Sequence, residues 1–171
     1  RLPAPLTRAL CWSHARRYFF ELADVAAQLK KRRKKAPVIS PLAVEAVRRI
    51  DVIFDIERAI NSRPAQERLA LRQELSAPLV ADLEEWMRDN RSKLSKNSDV
   101  AEAMDYMLKA WPAFTAFLGD GRICLTNNAA ERALRGIALG RKSWLFAGSD
   151  RGGQRTAFML SLIGTAKLND I

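Results

Sequence analysis

Four prolines constrain the middle of this chain more than any other feature. Pro41, Pro64, Pro78 and Pro112 recur through residues 36–118, and each lacks a backbone donor, so neither a central strand nor one long helix can run through them. Between them apolar side chains recur at three and four residues, the period of a helix with one buried face. Ser40-Pro41 predicts a helix start, with Ser as N-cap and Pro at the first position, and Val44, Val47, Ile50, Phe54 and Ile60 as its buried stripe. Asn61 to Pro64 ends it. From Pro64 to Asn90 the pattern is helical again, through Leu69, Leu75, Leu79, Leu83, Trp86 and Met87, with Pro78 kinking or splitting the run. A polar linker follows to Ser98, which caps a helix carrying Met104, Met107, Leu108 and Trp111; this bends at Pro112 and ends at the turn Gly119-Asp120-Gly121. The expectation for residues 36–118 is a helical bundle whose Met, Phe and Trp side chains form core.

The flanks read differently. Pro3 and Pro5 make the first residues extended, and the apolar-rich run from Leu6 to Trp12 is compatible with a short strand. Ser13 then caps a helix with Tyr18, Phe19, Leu22, Val25, Ala26 and Leu29 on one face, ending before Ala36-Pro37. After the glycine turn, Ile123-Cys124-Leu125 reads as a brief strand, and Asn127 or Asn128 caps a helix through Arg135 that Gly136 and Gly140 weaken. Ser143 to Ala147 is a short apolar stretch and Gly148 to Gly153 a Gly-rich loop without the Lys-Ser/Thr ending of a P-loop. A last helix from about Arg155 to Leu168 is expected to bury Phe158, Leu162 and Ile163.

Charge separates the same three regions. Residues 1–35 hold ten basic and two acidic side chains, residues 36–118 eleven and thirteen, and residues 119–171 eight and four, for a net +10. Basic ends around a balanced middle suggest that the ends face a polyanion, since Lys and Arg that neutralise phosphates release condensed counterions. The run Lys30 to Lys35 equally describes a solvated helix end. With 171 residues and 48% hydrophobic side chains the chain suffices for one core. It shows neither an 18-residue apolar span nor a charged-then-apolar leader, so no membrane contact and an intracellular, cytoplasmic setting are expected. Two cysteines and the single His14 supply neither a disulfide scaffold nor a four-ligand zinc pattern.

The most unusual local chemistry surrounds Glu131. It falls in the first turn of a capped helix, where the helix dipole favours an anion. Arg135 follows by four residues, and Lys142 by eleven if the helix persists, so both share its face. A hard carboxylate beside guanidinium and ammonium groups is what a magnesium-dependent phosphoryl-transfer site requires. A surface capping carboxylate with an ordinary Glu–Arg pair fits the same spacing, and spacing alone favours that simpler reading. His14 close to an expected strand end reads as a hydrogen-bonded structural residue rather than a ligand. Arg16 and Arg17 fall at the start of the first long helix.

The segment from Thr126-Asn127-Asn128-Ala129-Ala130-Glu131-Arg132 to Arg135, continued by Gly140-Arg141-Lys142-Ser143-Trp144 through Gly152-Gly153, resembles the end of the catalytic domain of insertion-sequence transposases, family sixty-six. Cys11-Trp12-Ser13-His14-Ala15-Arg16-Arg17 with Phe19 resembles the motif that follows the second catalytic aspartate in that family. The resemblance departs at Thr126, often aspartate, and at Gly136, often proline. It implies a DDE recombinase in which two aspartates and a glutamate hold two magnesium ions, or manganese in their place, for phosphodiester hydrolysis and strand transfer.

On that resemblance the chain is mainly α: residues 1–35 bring a late core strand and basic helix, 36–118 a helical insertion, and 119–171 the glutamate-bearing helix, Gly-rich loop and C-terminal helix of a ribonuclease-H-like α/β core. Glu131 is then the third acid, a catalytic metal ligand, and Arg132, Arg135, Arg141 and Lys142 join Arg16 and Arg17 as phosphate contacts. The partners implied are double-stranded DNA, as transposon ends and target, and further copies of the protein in a synaptic complex near the bacterial nucleoid. No acid precedes Glu21, so the other two acids are expected upstream and this part alone is expected to be inactive. A non-catalytic helical DNA-binding module or transposase remnant, and a purely structural helical protein, are the rival expectations.

Overall fold

A computed structural model describes residues 7–24, 39–143 and 149–168. The protein is mainly α, with no strand among the described residues. It divides into two compact units, residues 1–126 and 127–171.

In the first unit α1 (Trp12–Ala23) packs against α2 (Pro41–Ile60) and α5 (Asp99–Lys109), and α4 (Ala77–Ser92) packs against the same two helices. The four therefore close a ring around one core built from Trp12, Phe19, Ile50, Ile53, Leu83, Met87, Met104 and Met107. Trp12 fills the end of this core. Its indole N–H donates 2.8 Å to the Phe114 carbonyl, and its ring lies 5.9–6.1 Å from those of Trp111, Phe114 and Phe117, so a large apolar body is buried without stranding its one polar atom.

Local chemistry explains most element boundaries. Ser40 caps α2 through its hydroxyl, which accepts from the Ala43 N–H, with Pro41 in the first turn as expected. Pro78 splits the next run into α3 (Ala65–Leu71), a π-helical turn over Arg72–Ser76 and α4. Pro78 has no N–H for the Glu74 carbonyl four residues back, and the turn before it widens. Pro112 likewise opens the short α6 (Trp111–Thr115), which a 3₁₀ turn at Ala116–Leu118 finishes. In the Gly119-Asp120-Gly121 turn the second glycine is required: a Cβ there would sit 1.8 Å from the Ala65 carbonyl oxygen.

Several expectations are corrected. Residues 7–11 and 123–125 are not strands. Trp12 N–H, at the start of α1, donates to the Leu125 carbonyl at 3.1 Å, while Leu10 N–H donates to Ala113 in α6; one such bond does not make the repeated ladder of a strand pair. Trp12 opens α1 with Cys11 as N-cap, so Ser13 lies inside the helix. That helix ends at Ala23 because Asp24 turns extended and the Leu22 carbonyl accepts from Ser40 N–H; Val25, Ala26, Leu29 and the run Lys30 to Lys35 lie outside the described residues. The buried stripe of α2 is Ala43, Ala46, Ile50, Ile53 and Ile60, with Val44 exposed, because small alanines allow the closer helix approach.

The second unit holds α7 (Asn128–Ser143) and α8 (Asp150–Leu168). Gly136 and Gly140 do not end α7. The expected Gly-rich loop is already helix from Asp150, since the Ser149 hydroxyl accepts from Gly152 N–H and its carbonyl from Gly153 N–H. Phe158, Leu162 and Ile163 are not buried: they stand 68%, 54% and 46% exposed. No described side chain of α8 is buried.

Candidate functional site

Asn127 stands at the N-cap position of α7, its carbonyl accepting the Glu131 N–H at 3.0 Å. Glu131 is thereby fixed in the first turn, exposed, at the end of the helix where backbone N–H groups are aimed outward. Arg132 and Arg135 are exposed on the same helix, and with Asn128, Glu131 and Leu134 they line one shallow depression of about 430 Å³. Arg141 and Lys142 occupy the last turn of α7, where the backbone alone is described. The helix therefore persists far enough to place Lys142 three turns beyond Glu131 at nearly the same angular position. The asparagine-rich start, the carboxylate and the cations thus belong to one continuous helix.

The candidates on α1 have different surroundings. Arg17 is exposed. Arg16 is held by Asp51 of α2 through two charge-assisted bonds, Nε to Oδ1 at 2.5 Å and Nη2 to Oδ2 at 2.8 Å, and lies 5.3 Å over the Phe20 ring. Donating these hydrogen bonds to the Asp51 carboxylate raises its pKa beyond the usual guanidinium value. Its charge joins α1 to α2 in this structure. His14 is half-buried and engaged.

The most enclosed charged group is one that sequence reasoning missed. Arg72 is fully buried in the π-helical turn. Its Nε and Nη2 donate to both oxygens of Glu57 at 2.7 and 2.8 Å, its Nη1 donates to the carbonyls of Phe117 and Asp120 at 3.0 and 3.3 Å, and its plane lies 5.3 Å over the Phe117 ring. Only the proline six residues later hinted at it, by marking where the helix must widen. Its partners carry no signal in the sequence, because they lie 15 to 48 residues away.

Among the described residues no three His, Cys, Asp or Glu side chains converge as metal ligands. Glu131 alone does not make a two-metal site, and no step is assigned through a metal in these residues. The described residues are thus those of a mainly α, basic chain in which one helix presents a first-turn carboxylate beside exposed arginines.

The particular family is shown by the sequence itself. Residues 2–155 match the Transposase IS66 family, and the chain belongs to it. Three proteins of Sinorhizobium fredii (strain NBRC 101917 / NGR234) are similar to it. Uncharacterized protein y4hP is 57% identical over 167 residues, 98% of this chain and 30% of the relative. Uncharacterized protein y4jD is 34% identical over 168 residues, 98% and 30%, and uncharacterized protein y4qI is 34% identical over 161 residues, 94% and 28%. The chain thus spans about 30% of the length of these relatives. No solved structure matches it. No described helix is long and apolar enough to cross a membrane.

Proposed function

We propose that this chain is part of a DNA transposase that, in its complete form, hydrolyses phosphodiesters and transfers strands of an insertion sequence. The observation that carries the reading is the exposed Glu131 in the first turn of α7, sharing one depression with Arg132 and Arg135. Membership of the Transposase IS66 family supports this reading of the reaction class. In this reading Glu131 is one acid of a magnesium site, for which manganese can substitute, and the remaining acids come from outside these 171 residues in a ribonuclease-H-like core. Arg132, Arg135, Arg141, Lys142 and Arg17 contact phosphates of transposon-end or target DNA, fixing register rather than reading bases. Glu131→Gln in the complete protein abolishes strand cleavage and leaves duplex binding within about twofold, because a neutral isostere keeps the shape and removes the charge. Cleavage at near wild-type rate would end the assignment.

A second reading, a non-catalytic helical DNA-binding module, needs only the basic ends and the exposed Arg132 and Arg135. It requires that the complete protein bind duplex DNA in a salt-sensitive way and never cut it, with Glu131→Gln silent.

A further inference from the structure

Leu10, Trp12, Ile123 and Leu125 all pack into or against the core of the first unit. Cys11 lies between the first two and Cys124 between the second two, Cys11 half-buried and Cys124 exposed, and both thiols are free. Their two segments adjoin. Trp12 N–H donates to the Leu125 carbonyl at 3.1 Å, and backbones joined by such a bond approach to about 5 Å. A disulfide spans Cα atoms about 4.4–6.8 Å apart. Each segment is also held from elsewhere: Leu10 N–H donates to the Ala113 carbonyl at 2.9 Å, the Trp12 indole N–H to the Phe114 carbonyl at 2.8 Å, and Ile123 N–H to the Asp120 carbonyl at 3.1 Å. The two thiols therefore stand on fixed backbone, each one residue from the bond that joins their segments. No third cysteine occurs in the 171 residues to compete for either, and phosphate handling uses neither.

We propose that Cys11 and Cys124 are a peroxide-sensitive thiol pair that closes to an intramolecular disulfide on oxidation. The Cys124 thiolate, the more accessible, attacks one oxygen of hydrogen peroxide; the O–O bond breaks, hydroxide leaves and takes up a proton as water, and Cys124 becomes a sulfenic acid. The Cys11 sulfur then attacks the Cys124 sulfur, the S–O bond breaks, and a second water leaves with the Cys11 proton. Two thiols lose two electrons and two protons, and one peroxide becomes two waters. The new bond ties the start of α1 to the segment after the glycine turn and so constrains the unfolded chain.

The inference does not depend on Glu131 being catalytic, and its readouts are peptide masses and melting rather than cleavage, so the two readings fail separately. The complete protein is treated with a stoichiometric amount of hydrogen peroxide, alkylated, denatured and digested with trypsin, with and without dithiothreitol. Cuts after Arg8, Arg16, Arg122 and Arg132 make the pair visible as peptides Ala9–Arg16 and Ile123–Arg132 joined with the loss of two hydrogens. The joined species should be the main form of both peptides, disappear with dithiothreitol and form at a rate independent of protein concentration. Oxidation should raise the thermal midpoint of the wild type by about 4 °C or more and leave that of Cys124→Ser, a change at an exposed site, unmoved. Cys11 and Cys124 recovered separately, whether oxidised or not, overturn the proposal. So does a joined species whose rate of formation rises with protein concentration, which places the bond between two copies.

Discussion

Arg72 is the residue on which the first unit depends most. A buried guanidinium is stable only when its donors are matched, and here Glu57 and two carbonyls match four of the five. Truncation strands the Glu57 carboxylate and both carbonyls, so Arg72→Ala should lower stability by about 3–5 kcal/mol in urea denaturation. Arg72→Met combined with Glu57→Leu should recover most of that loss, because the pair is then replaced by apolar packing. A smaller effect belongs to two half-buried carboxyls, Asp120 and Glu45. Arg122 hydrogen bonds lower Asp120 to about 2, and Arg48, then Arg49, do the same for Glu45. Both lie below their ordinary values of 3.8 and 4.5. Their stabilisation is therefore complete above about pH 4.5 and is lost as the pH falls toward about 2. Thermal midpoints taken from pH 5 down to 2 should fall less steeply for Asp120→Asn with Glu45→Gln than for the wild type. The difference is small, since both ion pairs lie at the surface, where solvent screens them.

At the scale of elements, Ser149 decides where α8 begins. Its hydroxyl and carbonyl hold the Gly152 and Gly153 amides, so a sequence rich in glycine is helical from Asp150. Ser149→Ala should cost about 1 kcal/mol, read as faster amide exchange over residues 150–155, whereas Ser149→Asp should preserve protection. The same logic separates what the sequence discloses from what it conceals. The starts at Ser40-Pro41 and Pro112, the break before Pro78 and the placement of Glu131 in a capped first turn are legible, because each is set within four residues. The supposed strands at 7–11 and 123–125 are misread, because a strand exists only through a distant neighbour that propensity does not reveal. The α2 stripe is misjudged by one residue because hydrophobic size points to Val44 while packing selects Ala43 and Ala46. Arg16 pairs with Asp51, a partner 35 residues later that the sequence alone does not place beside it.

At the scale of the whole molecule, the net charge of +10 divides into basic ends and a balanced middle, and the fold gives that division a physical form. Acidic side chains of the middle are paired locally with arginines: Glu45 with Arg48 and Arg49, Asp105 with Arg91, Glu84 with Arg88. The cations of α7 include Arg132 and Arg135, both exposed. If Arg132, Arg135, Arg141 and Lys142 all meet phosphates, replacing the four with Ala should reduce the slope of log K against log salt by about 3–4, at roughly 0.9 per contact. Fluorescence titration of duplex DNA at a series of salt concentrations measures it, and an unchanged slope removes these residues from the interface.

The Arg72 clamp also bears on how the first unit comes apart. Peeling the 117–120 segment from the bundle would bare two guanidinium donors in an apolar interior, so that turn cannot fray by itself. It opens when the whole ring opens. The tryptic bond after Arg122, whose side chain is exposed two residues beyond the clamp, is then cut only through global unfolding, and its cleavage rate becomes a direct gauge of how often the entire unit melts.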